Sequence, residues 1–583
     1  MGNGNLFLLN NSLFLKLKML QTKFKIFYRR TNITMNKYLL HISLVSFIFF
    51  PFDHIDASPS LFEAVIQQQG QVPDTNMDVP KQRTKIWNAS SEYGDRVLNH
   101  WTNRSLDEIK QSGKVDAPRV LLANLFANKN ISQTNAFILN MQVNGVSGTR
   151  WALNKNGDYD FSLTILTAIL WKFGDHPSIL FPATANYLLN VLMIESGNEF
   201  RYATPKTLGL LRETENHILM TEGSRYLKNR WLMLHGDANP IYNNSKNGME
   251  QKLLQELFNL KTKGLYEFNS LPYIGYTITA LLNLEAFGSD AMQLAARDVL
   301  DYINWCYALG SYQLKHYAPM RRRYEKAGIQ EIKTDYHSLF MKAWLSYSTL
   351  NFDTSKGYAS SPHSLMGVIM SYRPADEVVK LQNDKMNGYY VKLGHGRKAS
   401  PEIYSAGKHF LLSAGGVNRG ELSLIVARPI CLFLNDQATK KSETFNIAGP
   451  GIDFKKWNNT GVYKNFACAA GPVNIPSIYK PIGKIGNWLM YQMQDGIVLV
   501  IYSTPKFGLI AVFENVSTTN LLDQVVALNS NAEKSNTSFR FPNGAKINYD
   551  VLAPKSKWVI KSVNDELQKR NFDRWSLIDG NFN

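Results

Sequence analysis

The stretch Ile274-Gly275-Tyr276-Thr277-Ile278-Thr279-Ala280-Leu281-Leu282-Asn283-Leu284-Glu285-Ala286-Phe287 decides how the first half of the chain is read. Ile274, Ile278, Leu281 and Leu282 recur at spacings of three and four, which places apolar side chains on one face of a helix. The same grammar extends both ways. Leu163, Leu166, Ile169 and Leu170 precede Trp171 and Phe173; Tyr187, Leu188, Val191 and Leu192 follow the break at Pro182; Leu294, Leu300 and Ile303 lead to Trp305; and Leu339, Phe340, Ala343 and Trp344 close the series. Roughly nine to twelve helices are expected between residues 106 and 350.

After Pro374 the pattern changes. His409–Leu412, Leu422–Ala427, Ile430–Leu434, Ile497–Tyr502 and Leu509–Phe513 are short β-rich runs punctuated by Gly415-Gly416, Gly449-Pro450-Gly451 and Pro542-Asn543-Gly544. Short strands with such turns predict an antiparallel sandwich or barrel. The boundary falls near 375–390, with no flexible linker.

The 583 residues are 44% hydrophobic, 12% aromatic and only 19% charged, which excludes a disordered chain. Three cysteines, Cys306, Cys431 and Cys468, exclude a disulfide scaffold or multi-cysteine zinc ribbon. Cys431 and Cys468 are read equally as a pair or as buried thiols. The formal charge of +17 points to an anionic partner. The first 37 residues hold seven cations and no acid; an apolar run Leu39–Phe52 and the small residues Ala57-Ser58 follow. A basic segment, a short apolar run and a small residue for cleavage form a secretory leader, and the run falls short of the roughly 20 residues of a spanning helix. Residues 1–34 read as an upstream extension, 35–57 as the signal peptide, 58–380 as the helical domain and 381–583 as the β domain. Without residues 1–57 the charge is about +12. Export, and the lack of a zinc finger, RNP-like strand or long basic helix, argue against nucleic acid.

The densest set of chemically capable groups is Glu213-Thr214-Glu215-Asn216-His217, continuing to Glu222, Arg225 and Tyr226. Elimination across a uronic acid needs a donor for the C6 carboxylate, a base for the adjacent C5 proton and an acid for the leaving oxygen. Asparagine, histidine and tyrosine can supply these. Nine residues on an ideal helix is about 900°, which sets His217 and Tyr226 on opposite faces unless the helix breaks, for which Gly223-Ser224 is the place. Thr214 is otherwise simply an N-cap.

Tyr266-Glu267-Phe268-Asn269-Ser270 to Tyr273 leads into a helix at Gly275-Tyr276. Glu267, Asn269 and Tyr273 are candidates for sugar contacts there, and Tyr276 is the reserve acid. Lys315-His316-Tyr317 followed by Arg321, Arg322 and Arg323 offers guanidinium groups for carboxylate or sulfate. The run Asn154–Asp160 departs from an EF-hand and reads as a turn capping a helix, with Asp158 and Asp160 at the cleft's edge. His395 and His409 stand on loops that can face it. No Gly-x-Ser-x-Gly, His-Glu-x-x-His, P-loop or Rossmann pattern occurs, and no ligand cluster demands a metal or cofactor.

A many-helix half followed by a β half on an exported chain resembles the secreted polysaccharide lyases, in which an (α/α) toroid, complete or incomplete, precedes an antiparallel β-sandwich. Asn216-His217 with Tyr226 nine residues on is similar to the Asn/His/Tyr sets of toroid lyases acting on hyaluronan, chondroitin or alginate. The hyaluronan-type Asn-Trp-Trp motif is missing, so no single family is assigned. The resemblance implies His217 as base, Asn216 as carboxylate binder and Tyr226 or Tyr276 as acid. Glu215, Arg225, Glu267, Asn269, Tyr273, His316 and Arg321–Arg323 then bind an anionic polysaccharide, with no cofactor and no membrane span after leader removal. Two other readings stand beside it: a toroid glycoside hydrolase pairing Glu215 or Glu222 with Glu267, about 5–10 Å apart, and a non-catalytic glycan-binding surface protein. N-terminal sequencing of the exported protein is expected to begin at Ser58; a product that retains earlier residues overturns the leader assignment.

Overall fold

The computed structural model describes residues 91–109, 113–271, 273–317, 319–321, 331–333, 335–346, 361–385, 388–393, 402–415, 426–427, 429–448, 459–530, 537–553, 557–570 and 578–579. The chain divides into two compact units, Met1–Val79 and Pro80–Asn583. The leader assigned to 35–57 lies outside the described residues, as do Arg322, Arg323 and His395.

Within Pro80–Asn583, the α-helices among the described residues are α1 (Glu92–Thr102), α2 (Asp116–Phe126), α3 (Ile131–Asn140), α4 (Asp160–Phe173), α5 (Pro182–Tyr187), α6 (Glu215–Leu234), α7 (Met249–Lys263), α8 (Ile274–Phe287), α9 (Asp290–Gly310), α10 (Tyr336–Leu345), α11 (Pro362–Ile369), α12 (Asp376–Asn383) and, among the later strands, α13 (Leu521–Leu528). Helix α8 is buried from Ile274 through Glu285, and α4 is buried over all but Trp171 and Lys172. A helix apolar all round belongs inside a protein, and these two pack against α6 between them. The polar groups they carry inward are satisfied helix to helix: the Asn283 amide donates to the Thr164 carbonyl at 2.7 Å. Periodicity overreaches at Leu294, which is 54% exposed while Leu300 and Ile303 are buried. Six residues of helix turn it about 240° from Leu300, onto the outer face.

The strands that follow are antiparallel. One six-stranded sheet runs β18-β2-β3-β4-β6-β7, and a second runs β10-β11-β12-β13-β9-β8. The first comprises β2 (Tyr389–Leu393), β3 (Glu402–Ala406), β4 (Phe410–Ala414), β6 (Ile430–Leu434), β7 (Phe445–Ile447) and β18 (Ile578–Asp579). The second comprises β8 (Thr460–Tyr463), β9 (Phe466–Ala469), β10 (Gly483–Ile485), β11 (Trp488–Gln492), β12 (Ile497–Thr504) and β13 (Phe507–Glu514). A smaller pair joins β1 (Met320–Arg321), from the helical half, to β5 (Val426–Ala427). A four-stranded sheet of β14 (Ser538–Arg540), β15 (Lys546–Tyr549), β16 (Ile560–Val563) and β17 (Glu566–Leu567) completes the set.

The first sheet is apolar on both faces, and the period-two alternation of strands divides its side chains. Ile430, Leu432, Leu434, Phe410 and Leu412 join the core shared with the second sheet. Cys431, Phe433, Leu411, Tyr404 and Val391 point the other way, into a cluster with Leu309, Tyr312, Tyr317 and Met320 of the helical half. Helices and strands thus share a packed junction. Cys431 and Cys468 fall in different cores and are free thiols.

Polar ties cross the same junction. The Lys315 ammonium, wholly buried, donates to the Leu434 carbonyl and to Asp436, whose Oδ1 is 2.7 Å away. The Asn269 amide donates to the Pro319 carbonyl at 3.0 Å, to Glu402 at 2.7 Å and to the Tyr404 hydroxyl at 3.2 Å. At the end of α9, a Cβ on Gly310 would meet the Tyr404 ring 2.4 Å away. Alanine normally favours a helix over glycine by about 1 kcal/mol, whereas overpacking costs about 1–3 kcal/mol. Gly310→Ala is therefore expected to lower the unfolding free energy, read from the denaturant midpoint; a variant more stable than wild type overturns the packing argument.

Candidate active site

Helix α6 runs unbroken from Glu215 to Leu234. Gly223 does not interrupt it, because the space beside it is filled by Leu284 of α8, 3.6 Å from where a Cβ would sit. His217 and Tyr226 therefore face opposite ways, and the Tyr226 hydroxyl is fully engaged: it donates to Glu250 at 3.1 Å and accepts the Ser289 N–H at 3.1 Å. Tyr226 braces the start of α9 and is not brought to His217.

His217 and Thr221, four residues apart, present one edge of the helix, and Glu213 stands just before its N-cap. With Glu222 they line a narrow recess closed by Ser147, Gly148, Arg201, Ala203 and Pro205, whose free space of about 10 Å³ is room for about one water molecule. His217 is buried, and its Nδ1 lies 2.6 Å from the Asp160 carboxylate at the first residue of α4. Burial alone would lower the imidazole, but the Asp160 charge and hydrogen bond outweigh it and raise it to about 9. With Nδ1 so held, Nε2 is the nitrogen left for chemistry. The ring meets Phe161 edge-on at 5.6 Å, and Phe161 meets Tyr276 at 4.3 Å. Asn216 is wholly buried; its carbonyl accepts from Thr214, while its NH2 has no hydrogen-bond partner among the described residues. An unpaired buried donor costs about 1–3 kcal/mol.

Two guanidinium groups and two carboxylates form a quartet that reaches the recess through Arg201 and Glu222. Arg201 and Arg225 both reach Glu195, Arg225 at 2.6 Å, and Arg225 lies 3.5 Å from Glu222. Burial pushes Glu195 up, yet the two arginines hold it below the usual carboxylate range. For Glu222 burial wins over the same cations and raises it to about 7. Arg225 is sealed in this quartet, whereas the Arg201 side chain remains 34% exposed at the recess wall.

The other candidates disperse. Glu215 is buried and accepts the Glu267 N–H at 2.7 Å; burial and the neighbouring Glu267 carboxylate raise it to about 7. Tyr273 is half-buried at the start of α8. Asn269 is spent on the junction with β3. His316 is buried against Asp335, and the buried Arg321 guanidinium sits 3.6 Å over the Tyr266 ring. None of these lines the His217 recess. Asp158 binds Lys114 at 2.5 Å and the Arg150 N–H at 2.7 Å, a turn as expected.

Asp160 is expected at the cleft's edge, but its pairing with His217, 57 positions away, is not evident from the sequence; nor are Arg201, which stands alone in its local sequence, and His363, which lies in an apolar helix. The His363 ring is wholly buried, 4.2 Å from Tyr336 and 5.0 Å from Tyr276, and burial with Arg119 nearby keeps it well below an ordinary histidine. It fits because Gly275 offers no Cβ, which would lie 2.6 Å from the ring. Among the described residues no group of three His, Cys, Asp or Glu can hold a metal ion, and no helix is long and apolar enough to cross a membrane. Set against known proteins, the sequence matches no family model and no curated relative.

A histidine raised from 6.5 to about 9 contributes stability that is full below about pH 6.5 and lost as pH rises through 9. Asp160→Asn is therefore expected to destabilise most at pH 6, with the deficit shrinking by pH 10, as read from denaturation midpoints. An equal deficit at both pH values overturns the charged pairing.

Proposed function

We propose that the protein is an exported lyase that cleaves a uronic-acid-containing polysaccharide by β-elimination, its helical half an (α/α)-toroid-type scaffold and its β half a sandwich. The observation that carries this reading is the Asp160–His217 pair opening on a recess that also presents Arg201, with the orphan Asn216 amide next in sequence. Arg201, at the recess wall, binds the C6 carboxylate and stabilises the charge that develops on it, while Asn216 is wholly buried behind the lining. His217, oriented by Asp160, removes the C5 proton through Nε2. The C5–H electrons form the C4–C5 double bond, the C4–O bond breaks, and the leaving oxygen takes its electron pair and a proton from Tyr276. A base raised to about 9 is strong but mostly protonated at neutrality, so the rate climbs with pH.

Assayed by the ultraviolet absorbance of the new double bond on a panel of uronic-acid polysaccharides, kcat/KM is expected to rise about tenfold per pH unit and level near pH 9. Asp160→Asn should move that rise to lower pH with a reduced plateau. His217→Ala and Tyr276→Phe should each cost at least about 100-fold, and Arg201→Ala should act mainly on KM. Tyr226→Phe should cost about 1 kcal/mol of stability and spare the rate. New reducing ends without absorbance would refute elimination.

A second reading rests on Glu215, protonated near neutrality beside Glu267. A glycoside hydrolase pairs an acid held protonated with a second carboxyl about 5–10 Å away across the scissile bond. Reducing ends lost in Glu215→Gln and kept in His217→Ala would favour it. No new ends with either variant would favour a glycan-binding surface protein.

A further inference from the structure

The β half carries a second concavity, away from the residues of the His217 recess. The turn before β4 supplies His409, the end of β6 supplies Asn435 and Asp436, the loop before β10 supplies Tyr479, and the β11–β12 turn supplies Gln492 and Gln494. Loops of both six-stranded sheets thus converge on one space of about 270 Å³, near the lower end of the roughly 300–1,000 Å³ that small-molecule sites enclose and the size for a single sugar unit.

Its polar walls are fixed from behind. Asp436 accepts the Lys315 ammonium at 2.7 Å, the Ala438 N–H at 3.1 Å and the Tyr479 hydroxyl at 3.1 Å. Asn435 accepts from Gln313 at 2.8 Å and donates to Asp495 at 2.9 Å. The Tyr479 ring is held by stacking on Phe445, 5.2 Å between centroids. In contrast, the Gln494 amide and the His409 ring make no hydrogen bond among the described residues, so donors and acceptors stay open to the space.

Charge selects the ligand. Lys315, a cation behind the wall, is buried and matched by Asp436, and Asp495 adds an acid 4.0 Å from His409. Among the described residues no lysine or arginine lines the space. A uronate or sulfate would meet carboxylates here, whereas vicinal hydroxyls match paired amide, carboxylate and imidazole groups beside a rigid aromatic ring. We propose that this concavity is a binding site for a neutral, hydroxyl-rich sugar unit. The proposal stands whether or not the His217 recess performs elimination.

Isothermal titration of the full chain with cellotetraose, xylotetraose, mannotetraose and maltotetraose, and with tetragalacturonate as the anionic control, tests it. At least one neutral tetrasaccharide is expected to bind. The double variant Gln492→Ala/Gln494→Ala, both side chains exposed in wild type, should weaken it by about tenfold or more. Tyr479→Phe, which only frees Asp436 from its hydroxyl, should weaken it less, and His217→Ala not at all. Tetragalacturonate affinity should be the same in the double variant and wild type. Binding by none of the neutral probes, binding indifferent to the double variant, or binding lost in His217→Ala would overturn the proposal.

Discussion

The contact between Asp160 and His217 joins the first residue of α4 to the first turn of α6, with both side chains closed off from water. Removing two charges from solvent costs several kcal/mol per ion, and an ion pair offsets that only in good geometry. Two conditions provide the geometry. The α4 and α8 helices are apolar on nearly every side, so both pack on α6 and cannot drift toward solvent. The Asn154–Asp160 turn, tied down through Asp158, then fixes where α4 begins. Helix packing thus sets one side of the recess, His217, Thr221 and Glu222 of α6, while the segments carrying Ser147, Gly148, Arg201, Ala203, Pro205 and Glu213 close it.

Much of this order was legible in the sequence. Spacings of three and four found α4, α8, α9 and α10, and short β-rich runs found β4, β6, β12 and β13. Both signals are local, and each is forced by burying one face. His217 and Asn216 stood out as polar groups in apolar surroundings. What periodicity cannot report is where a polar group finds its partner. Asp160, far along the chain, became the orienter of His217. Asn269, Lys315, His316 and Arg321, with the right chemistry for gripping a glycan, are consumed by internal partners. Arg225 and Arg201 show the same limit: both reach Glu195, but only tertiary packing decides which keeps a face to the recess. The Gly223-Ser224 pair carried a real breaking signal, and α8 overrode it by filling the groove there.

The junction between helices and strands explains why so many of those groups were unavailable. The first sheet has no free face: one side meets the second sheet, the other the end of α9 and the residues after it. A junction of that kind leaves backbone carbonyls such as those of Leu434 and Pro319 needing donors, and Lys315 and Asn269 provide them. Sites on the two halves therefore rest on one rigid frame, even though their chemical characters differ.

Glu222 gives the recess a further property. Its carboxyl changes protonation near neutrality, and it sits between Arg201, which faces the opening, and the sealed Arg225. An anion arriving at Arg201 draws off part of the positive field that had favoured the ionised form of Glu222. The carboxyl then takes a proton from solution. Occupancy of the recess by an anion is thereby linked to proton uptake, and the heat of binding depends on the ionisation enthalpy of the buffer as well as on the contacts made.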